Sequence, residues 1–121
     1  MIIARTIKTE SYVCKSDREN PSEEQTKFML KTLSAQDVAS FQDSLLVDGK
    51  TNFSITSMHS LLKQSLVGWE NFTDESNGQV KFDRKDSSAN LDRIPQEVIM
   101  ELCEHIMATN FPDPEGKLEK N

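Results

Sequence analysis

The segment from residue 55 to residue 67 most constrains what this chain can fold into, because its apolar residues recur with the period of an α-helix. They form one stripe along such a helix, and the stripe must pack against another element. The residues of this stripe are Ile55, Met58, Leu61, Leu62 and Leu66. The pattern predicts a helix over residues 55–67, ended by Gly68 in the left-handed conformation that closes many helices.

Two further segments have the same helical period and recognisable starts. Ser34 precedes the first, and its side chain can cap a helix over residues 35–46 by accepting a hydrogen bond from the amide of Asp37. Pro95 opens the second, which we expect over residues 95–109, because the first helical turn leaves its backbone donors unpaired and tolerates proline. Their apolar stripes are Val38, Phe41 and Leu45 in the first helix, and Val98, Ile99, Leu102, Cys103 and Ile106 in the second.

The N-terminal third of the chain favours strands. Residues 11–15 and 26–33 carry β-branched, aromatic or alternating apolar residues, and a polar stretch over residues 16–25 separates them. We expect two strands that pair across a long hairpin loop, with Phe28 and Leu30 on one face. The opposite face would carry Lys27, Met29 and Lys31.

Turn residues divide the rest of the chain. Gly49, within residues 48–50, predicts a turn between the first two helices. Asn77-Gly78 best fits a type I′ turn, and the alternating residues 79–82 behind it predict a short central hairpin. Residues 83–90 have the composition of a loop.

These elements together predict an α+β fold. With 121 residues, the chain has room for one ordinary domain and no second core. We expect a mostly helical single domain with an N-terminal β-hairpin and a short central hairpin. Residues 1–33 would form an extended arm and hairpin, residues 34–110 a helical core, and residues 111–121 a polar tail. The predicted core contains Phe28, Leu30, Val38, Phe41, Leu45, Met58, Leu62, Leu66, Trp69, Val98, Leu102 and Ile106.

Charge and cysteine content restrict the classes of partner. The net charge is −6 and the pI about 4.9, the wrong sign for a phosphate-binding surface, so nucleic acid is not expected as a partner. No apolar run approaches the roughly 18 residues that span a bilayer. No secretory segment precedes Arg5, so we expect neither membrane contact nor export. Cys14 and Cys103 lie far apart and outside any metal-binding spacing, which favours a reduced intracellular protein.

The sequence favours neither catalysis nor metal binding. Its four glycines form no phosphate-binding motif, and no nucleophile with a base can be assembled, so we predict no enzymatic activity and no cofactor. His59 and His105 are interpreted as ordinary surface or boundary histidines. Glu101, Glu104 and His105 share one face of the last predicted helix and offer ligands for a divalent ion, but a solvated charged face is the favoured interpretation.

Contacts with other proteins are the remaining class. Four methionines suit either an adaptable groove for a partner segment or the core, and their helical spacing favours the core. They are Met29, Met58, Met100 and Met107. Trp69 suits an interface anchor, although burial within the fold is the favoured role. Our candidate partner-binding residues are Tyr12, Met29, Trp69, Phe72 and Phe111.

The first part of the chain follows a pattern found in small phage proteins. Residues 12–17 lead through the acidic loop to residues 26–31 and then to the helix at residues 34–46. This order resembles the extended N-terminal segment and first helix of the tail assembly chaperones of long-tailed bacteriophages. Those are small cytoplasmic proteins that bind the tape-measure protein during tail assembly.

Two later stretches extend the resemblance over most of the chain. Residues 66–72, followed by Asn77-Gly78 and residues 80–82, are similar to a "GWxNF…G…F" segment common in such proteins. Residues 91–95 and the helix over residues 98–107 resemble their closing helix and its short charged tail. The resemblance implies a mostly helical protein that self-associates and is often also made as a longer, frameshifted product, for which the ending Lys120-Asn121 is compatible with a slippery codon pair.

Our hypothesis is therefore a non-enzymatic role in phage assembly, in the host cytoplasm, through contacts with the tape-measure protein or a neighbouring virion protein and with further copies of itself. An acidic surface would attract basic stretches of a partner, and salt would weaken that attraction. The alternative is a small structural protein of the head–tail junction, tail or capsid, which reaches its neighbours through the N-terminal arm and the C-terminal tail. A small enzyme or metal-binding regulator is the least favoured class.

Overall fold

The computed structural model describes residues 1–4, 6–47, 50–51 and 54–111, and it confirms the predicted α+β class. Apart from two single 3₁₀ turns between the first two strands, its elements in chain order are β1 (Thr9–Tyr12), β2 (Lys27–Lys31), α1 (Ala35–Ser44), β3 (Leu46–Val47), β4 (Lys50–Thr51), α2 (Ile55–Ser65), β5 (Leu66–Glu70), α3 (Ser87–Asp92) and α4 (Gln96–Asn110). None of the described helices is long and apolar enough to cross a membrane.

Strands β1, β2 and β5 form an antiparallel sheet with β2 in the middle, so the predicted N-terminal hairpin is confirmed. Phe28 lies opposite Tyr12 on one neighbouring strand and opposite Trp69 on the other, which places all three side chains on one face. Phe28 and Leu30 are buried there. Met29 and the two lysines of β2 lie on the opposite, more open face, as the alternation predicts.

The apolar face of this sheet shares one buried cluster with residues of all four described α-helices. Helix α2 packs against α1, α3 and α4. The hydroxyl of Ser65, at the end of α2, donates to the carbonyl of Lys31 over 2.9 Å and ties that helix to the central strand. The side chains most completely removed from solvent are Leu33, Phe41, Leu61, Leu62, Ser65, Leu102 and Ile106.

Every residue of the predicted core is either buried or packs against the buried cluster. Val38, Leu45, Met58, Trp69 and Val98 are in the second group and remain partly accessible. The core is larger than the prediction, because residues at or just after the ends of β1, β2 and α3, one more residue of α2, and two more residues of the buried face of α4 also contribute. The added residues are Tyr12, Cys14, Leu33, Leu61, Leu91, Ile94, Ile99 and Cys103.

The predicted helix starts are confirmed more closely than the helix ends. The Ser34 hydroxyl accepts from the amide of Asp37 over 3.0 Å, and the Asp37 carboxylate accepts from the amide of Ser34, so α1 begins with a full capping box. Helix α2 stops at Ser65 rather than residue 67. The prediction that Gly68 ends it is wrong, because the chain turns into β5 at Leu66 and Gly68 pairs with Met29 inside that strand.

The predicted loop over residues 83–90 is wrong over residues 87–90, where α3 begins. The carboxylate of Asp86 accepts from the amide of Ala89 over 3.0 Å and caps this short helix. Asn90 is buried and is hydrogen-bonded to the backbone of Asp83 on both sides of its amide group: its oxygen accepts from the Asp83 amide over 2.8 Å, and its nitrogen donates to the Asp83 carbonyl over 2.7 Å.

The central hairpin is present but small. A single bridge joins Thr73 to Gln79. Asn77 has a positive φ of 61°, but Gly78 is not left-handed. The amide of Asn77 donates to the carbonyl of Asp74, so Asn77 is the last residue of a turn that begins at Asp74. The reversal is therefore not the predicted type I′ turn, which needs positive φ at two successive residues.

The first strand lies earlier in the chain than predicted, and two further predictions concern residues that the structure does not describe. Strand β1 covers Thr9–Tyr12 rather than residues 11–15, because the amide of Lys15 donates to the carboxylate of Glu101 instead of to the sheet. The turn predicted at Gly49 and most of the polar tail predicted over residues 111–121 lie outside the described residues.

Candidate functional site

An apolar groove of about 330 Å³ lies between α2 and α4. Its position follows from the sequence of α4, in which one apolar row lies in the core and a second row beside it, made of two methionines and a glutamate, remains at least partly accessible. Met100, Glu104 and Met107 are spaced by four and three residues and form this outer row. The lining residues are Met58, Met100, Cys103, Glu104 and Met107.

Cys103 belongs to the inner row and lies against α2. Its side chain is buried, and its thiol donates to the carbonyl oxygen of Met58 on α2 over 3.3 Å. Burial raises the pKa of the Cys103 thiol to about 12, so the thiol is protonated at neutral pH. Cys103 therefore helps to hold the two helices together and is not an activated nucleophile.

The methionines give the groove an adaptable apolar surface. Met100 is 49% exposed, whereas Met58 and Met107 are partly buried against the core. Methionine side chains bend easily and can fit differently shaped apolar partners. Glu104 is exposed, and none of the ion pairs in the described part of the chain involves it. The groove can thus accept apolar side chains of a partner. A positively charged residue of the same partner would then lie beside the carboxylate of Glu104.

A polar cluster borders Glu104 on the other side. It surrounds a cavity of about 270 Å³ lined by Tyr12, Lys15, Arg18, Glu101, Glu104 and His105. Oε2 of Glu101 accepts from the Tyr12 hydroxyl over 2.6 Å and from the Lys15 amide over 2.8 Å. These two bonds fasten the first hairpin to α4, and they occupy the carboxylate that the sequence offered as a metal ligand.

Burial, hydrogen bonds and charges in this cluster shift the pKa values of three side chains. Burial acts to raise the pKa of Glu101, but the bonds from the Tyr12 hydroxyl and the Lys15 amide outweigh it and hold the pKa below its ordinary value. Burial, together with the hydrogen bond to Glu101, raises the pKa of Tyr12 to about 12. Burial and the nearby charges of Glu101 and Asp17 raise the pKa of Cys14 to about 11.

His105 and His59 lie in different surroundings. The ring of His105 packs against the ring of Tyr12 with centroids 4.4 Å apart, and its Nε2 lies 3.8 Å from a carboxylate oxygen of Glu10. His59 is half-buried on α2, with its Nε2 buried and without a hydrogen bond within the described residues. In that same part of the chain, no group of three or more His, Cys, Asp or Glu residues is placed to hold a metal ion.

The structure distributes the five candidate partner-binding residues over different regions. Tyr12 is buried beside α4, and Met29 lies on the open face of the sheet opposite Gly68. Phe111 follows α4 and packs against Phe41, with ring centroids 5.8 Å apart. Of the five, only Trp69 and Phe72 contact each other among the described aromatic pairs.

Trp69 and Phe72 belong to an aromatic cluster at one end of the sheet. Their ring centroids are 4.9 Å apart, and Trp69 also packs edge-on against Phe82 at 5.0 Å. The indole nitrogen of Trp69 donates to the carbonyl of Val80 over 2.7 Å. Phe28 completes the cluster from β2. Trp69 is thus chiefly a structural residue that holds the segment after β5.

Three of the four methionines line the groove, and two of them, Met58 and Met107, also pack against the core, as their helical spacing predicts. Their helical spacing is compatible with both core and surface, and the decision depends on which row of α4 faces α2. Two adjacent apolar rows, with Met100 and Met107 on the outer one, are the signal that identifies the groove. Glu104 stands between those methionines and contributes to both the groove and the polar cluster.

Comparison of the chain with protein-family models, with curated proteins and with solved structures finds no match in any of the three.

Proposed function

We propose that this protein is a non-enzymatic assembly protein that binds an apolar segment of another phage protein in the groove between α2 and α4, in the manner of a tail assembly chaperone. The observation that carries the proposal is the half-exposed, methionine-lined groove. The resemblance to tail assembly chaperones supplies the class of client, the tape-measure protein or a neighbouring virion protein.

The dimensions of the groove suit a segment rather than a folded domain. Its volume of about 330 Å³ is at the lower end of pockets that enclose small ligands, roughly 300–1,000 Å³. A few apolar side chains of a client fill that space, and Met58, Met100 and Met107 can rearrange around them. Transient cover of this kind shields a client's apolar segment until assembly buries it.

The charge of the chain favours clients whose apolar segments are flanked by basic residues. The net charge is −6, and Glu104 lies within the groove itself. Opposite charges accelerate association and favour matching partners, and salt weakens the effect. Binding of a basic client is therefore expected to weaken as ionic strength rises.

Co-expression with the tape-measure protein of the phage that encodes this chain tests the proposal. The wild-type chain is expected to keep the client soluble and to co-purify with it, and Met100→Lys is expected to reduce the recovered complex at least about tenfold by placing a charge in an apolar contact. Val67→Lys is the matched control, because Val67 is also an exposed apolar residue but lies on β5, away from the groove lining. Equal loss with both variants, or a client that never binds, would contradict the proposal.

A structural virion protein is the second candidate, and the exposed isoleucines of the N-terminal arm, residues 1–8, favour it. Ile2 and Ile3 are 98% and 84% exposed, so this arm is available to reach a neighbouring subunit. Mass spectrometry of purified mature particles separates the two functions. A high copy number in the particle supports the structural component. Absence from the particle, with the chain bound to the tape-measure protein in infected cells, supports the chaperone.

A further inference from the structure

The N-terminal arm, residues 1–8, contains three isoleucines whose side chains the fold leaves uncovered. Its tie to the sheet is at Lys8, whose carbonyl accepts from the amide of Thr32 over 2.8 Å. The three isoleucines before that point are exposed, with Ile7 the least so at 56%. Clustered exposed apolar residues commonly mark an interaction surface.

The order of residues in the arm matches the order of residues along the groove. Alternate residues of a segment that binds in an extended conformation share one side, and in the sequence of the arm such a set is Ile3, Arg5 and Ile7. Arg5 is outside the described residues and enters this comparison only through its charge and its place in the sequence. On α4, the outer row has the same order of apolar, charged and apolar residues, with the carboxylate of Glu104 between the two methionines.

The two patterns also agree in length and in charge. In an extended chain, positions 3 and 7 are separated by about 13 Å, at about 3.3 Å per residue. In a helix, Met100 and Met107 are separated by about 10 Å along the axis, at 1.5 Å per residue. A positively charged residue in the middle of the arm would therefore lie close to the negatively charged residue in the middle of the groove.

We propose that the arm of one copy binds in the groove of a second copy, with Ile3 and Ile7 against Met100 and Met107 and with Arg5 beside Glu104. A second copy is the occupant because the arm does not cover its own groove: Ile2 and Ile3 are almost fully exposed in the single chain, and so is half of Met100. This inference rests on the groove of the proposed function. It implies that a client must displace the arm to bind.

Charge-reversal variants of the arm and of the groove test the inference. The association of the purified full chain is measured by sedimentation velocity over a range of concentrations. The wild-type chain is expected to show a concentration-dependent monomer–dimer equilibrium. Arg5→Glu and Glu104→Arg are each expected to raise the dimer dissociation constant at least about tenfold, because each places like charges together in the interface. Glu19→Arg, at an exposed loop position outside the groove lining, is the control and is expected to leave the constant unchanged.

Mixing the two variants is the decisive measurement. In a mixed dimer, the introduced glutamate meets the introduced arginine at one contact, and the native Arg5 meets the native Glu104 at the other. The mixture is therefore expected to associate within about threefold of the wild-type constant.

Three results would overturn the inference. The wild-type chain could stay monomeric at all concentrations, or both substitutions could leave the dimer dissociation constant unchanged. The third result is a mixture of the two variants that associates no more tightly than either variant alone. The last result would also be expected if the arm bound its own groove. The experiment contains no client, so failure to self-associate leaves the co-expression result standing, and failure of the client to bind leaves the dimer standing.

Discussion

At the scale of single residues, Glu101 determines how the first hairpin is joined to the helical layer. Its carboxylate accepts from the Tyr12 side chain and the Lys15 backbone, which are 89 and 86 residues away in sequence. A pattern of spacing reports neighbours on one helix, so it showed Glu101 beside Glu104 and His105 and could not show a partner on a distant strand. The favoured interpretation of this face as solvated was therefore incomplete at Glu101.

The titration of Tyr12 reports on its burial and on its contact with Glu101. Tyr12 is the single tyrosine of the chain, so the ultraviolet absorbance of tyrosinate reports on it alone. The midpoint is expected at about pH 12 in the folded protein, and near the ordinary value of 10.0 in the urea-unfolded chain. Replacing Glu101 with glutamine removes the negative charge beside the phenol and is expected to move the folded midpoint towards 10. A folded midpoint that does not move on this substitution would contradict the contact, and a wild-type midpoint at 10 would contradict the burial of Tyr12 as well.

Glu101 also makes stability depend on pH in a definite direction. Its pKa is lower in the folded than in the unfolded state, so the stabilisation is complete above the ordinary value of 4.5 and is lost as pH falls through the folded-state pKa. Glu101→Gln is expected to lower the free energy of unfolding at pH 7 by about 1.5 kcal/mol, as for a hydrogen bond to a charged group. This difference should shrink below pH 4.5.

Urea denaturation at pH 7 and at pH 3.5 measures both effects. Glu97→Gln is the matched control, because Glu97 is an exposed glutamate in the first turn of the same helix and forms no side-chain hydrogen bond or ion pair within the described residues. If Glu101→Gln lowers the free energy of unfolding as much at pH 3.5 as at pH 7, the loss of stability comes from packing and not from the charge of Glu101.

At the scale of elements, local signals located the helix starts, and tertiary contacts decided the helix ends. Ser34 and Asp37 are three residues apart and cap α1 without help from the rest of the fold, so the sequence predicts that start correctly. The end of α2 depends on β2, because Leu66 and Gly68 are drawn into pairing with that strand. Glycine at a helix end is a local signal, and here a strand partner distant in sequence overrides it.

The start of α3, within the segment predicted as a loop, was likewise decided by contacts that composition does not reveal. The polar residues over 83–90 have loop composition, and the composition does not reveal that Asn90 is buried and satisfied by the backbone of Asp83. A buried asparagine costs free energy unless its amide group finds partners. Asp83 provides both a donor and an acceptor, and the chain therefore closes into a short helix at this point.

Substitution of Asn90 tests that explanation. Asn90→Ala leaves the amide and the carbonyl of Asp83 without their side-chain partner, and is expected to reduce the free energy of unfolding by about 1–3 kcal/mol. Ser88→Ala on the same helix is the control, because Ser88 is exposed, and its effect should stay within about 0.5 kcal/mol. Urea denaturation followed by tryptophan fluorescence measures both, since Trp69 is the single tryptophan. Equal effects of the two variants would mean that helix propensity, not the buried amide, holds α3.

At the scale of the whole molecule, the sequence predicts the layer of helices on a sheet but not the surfaces that this layer leaves open. The apolar stripes show that α1, α2 and α4 each have a packing face, and the sheet's alternation shows which residues face them. Met100 and Met107 lie on a second apolar row, and whether that row is buried depends on the angle at which α4 crosses α2. The candidate site is therefore visible in the sequence as a set of methionines and becomes a groove only in the fold.

The whole molecule also separates into a packed body and an uncovered arm, and deletion tests that division. Removing residues 2–7 is expected to leave the free energy of unfolding within about 0.5 kcal/mol of wild type, because exposed apolar side chains contribute little to the folded state. Removing residues 2–12 takes away β1 with Tyr12 and the Glu101 contact, so a loss of at least about 3 kcal/mol is expected. Thermal and urea denaturation of the three chains, at a concentration below the dimer dissociation constant, compare the intrinsic stabilities. If the shorter deletion alone destabilises the monomer strongly, the arm packs on its own chain, and its role in joining two copies must be abandoned.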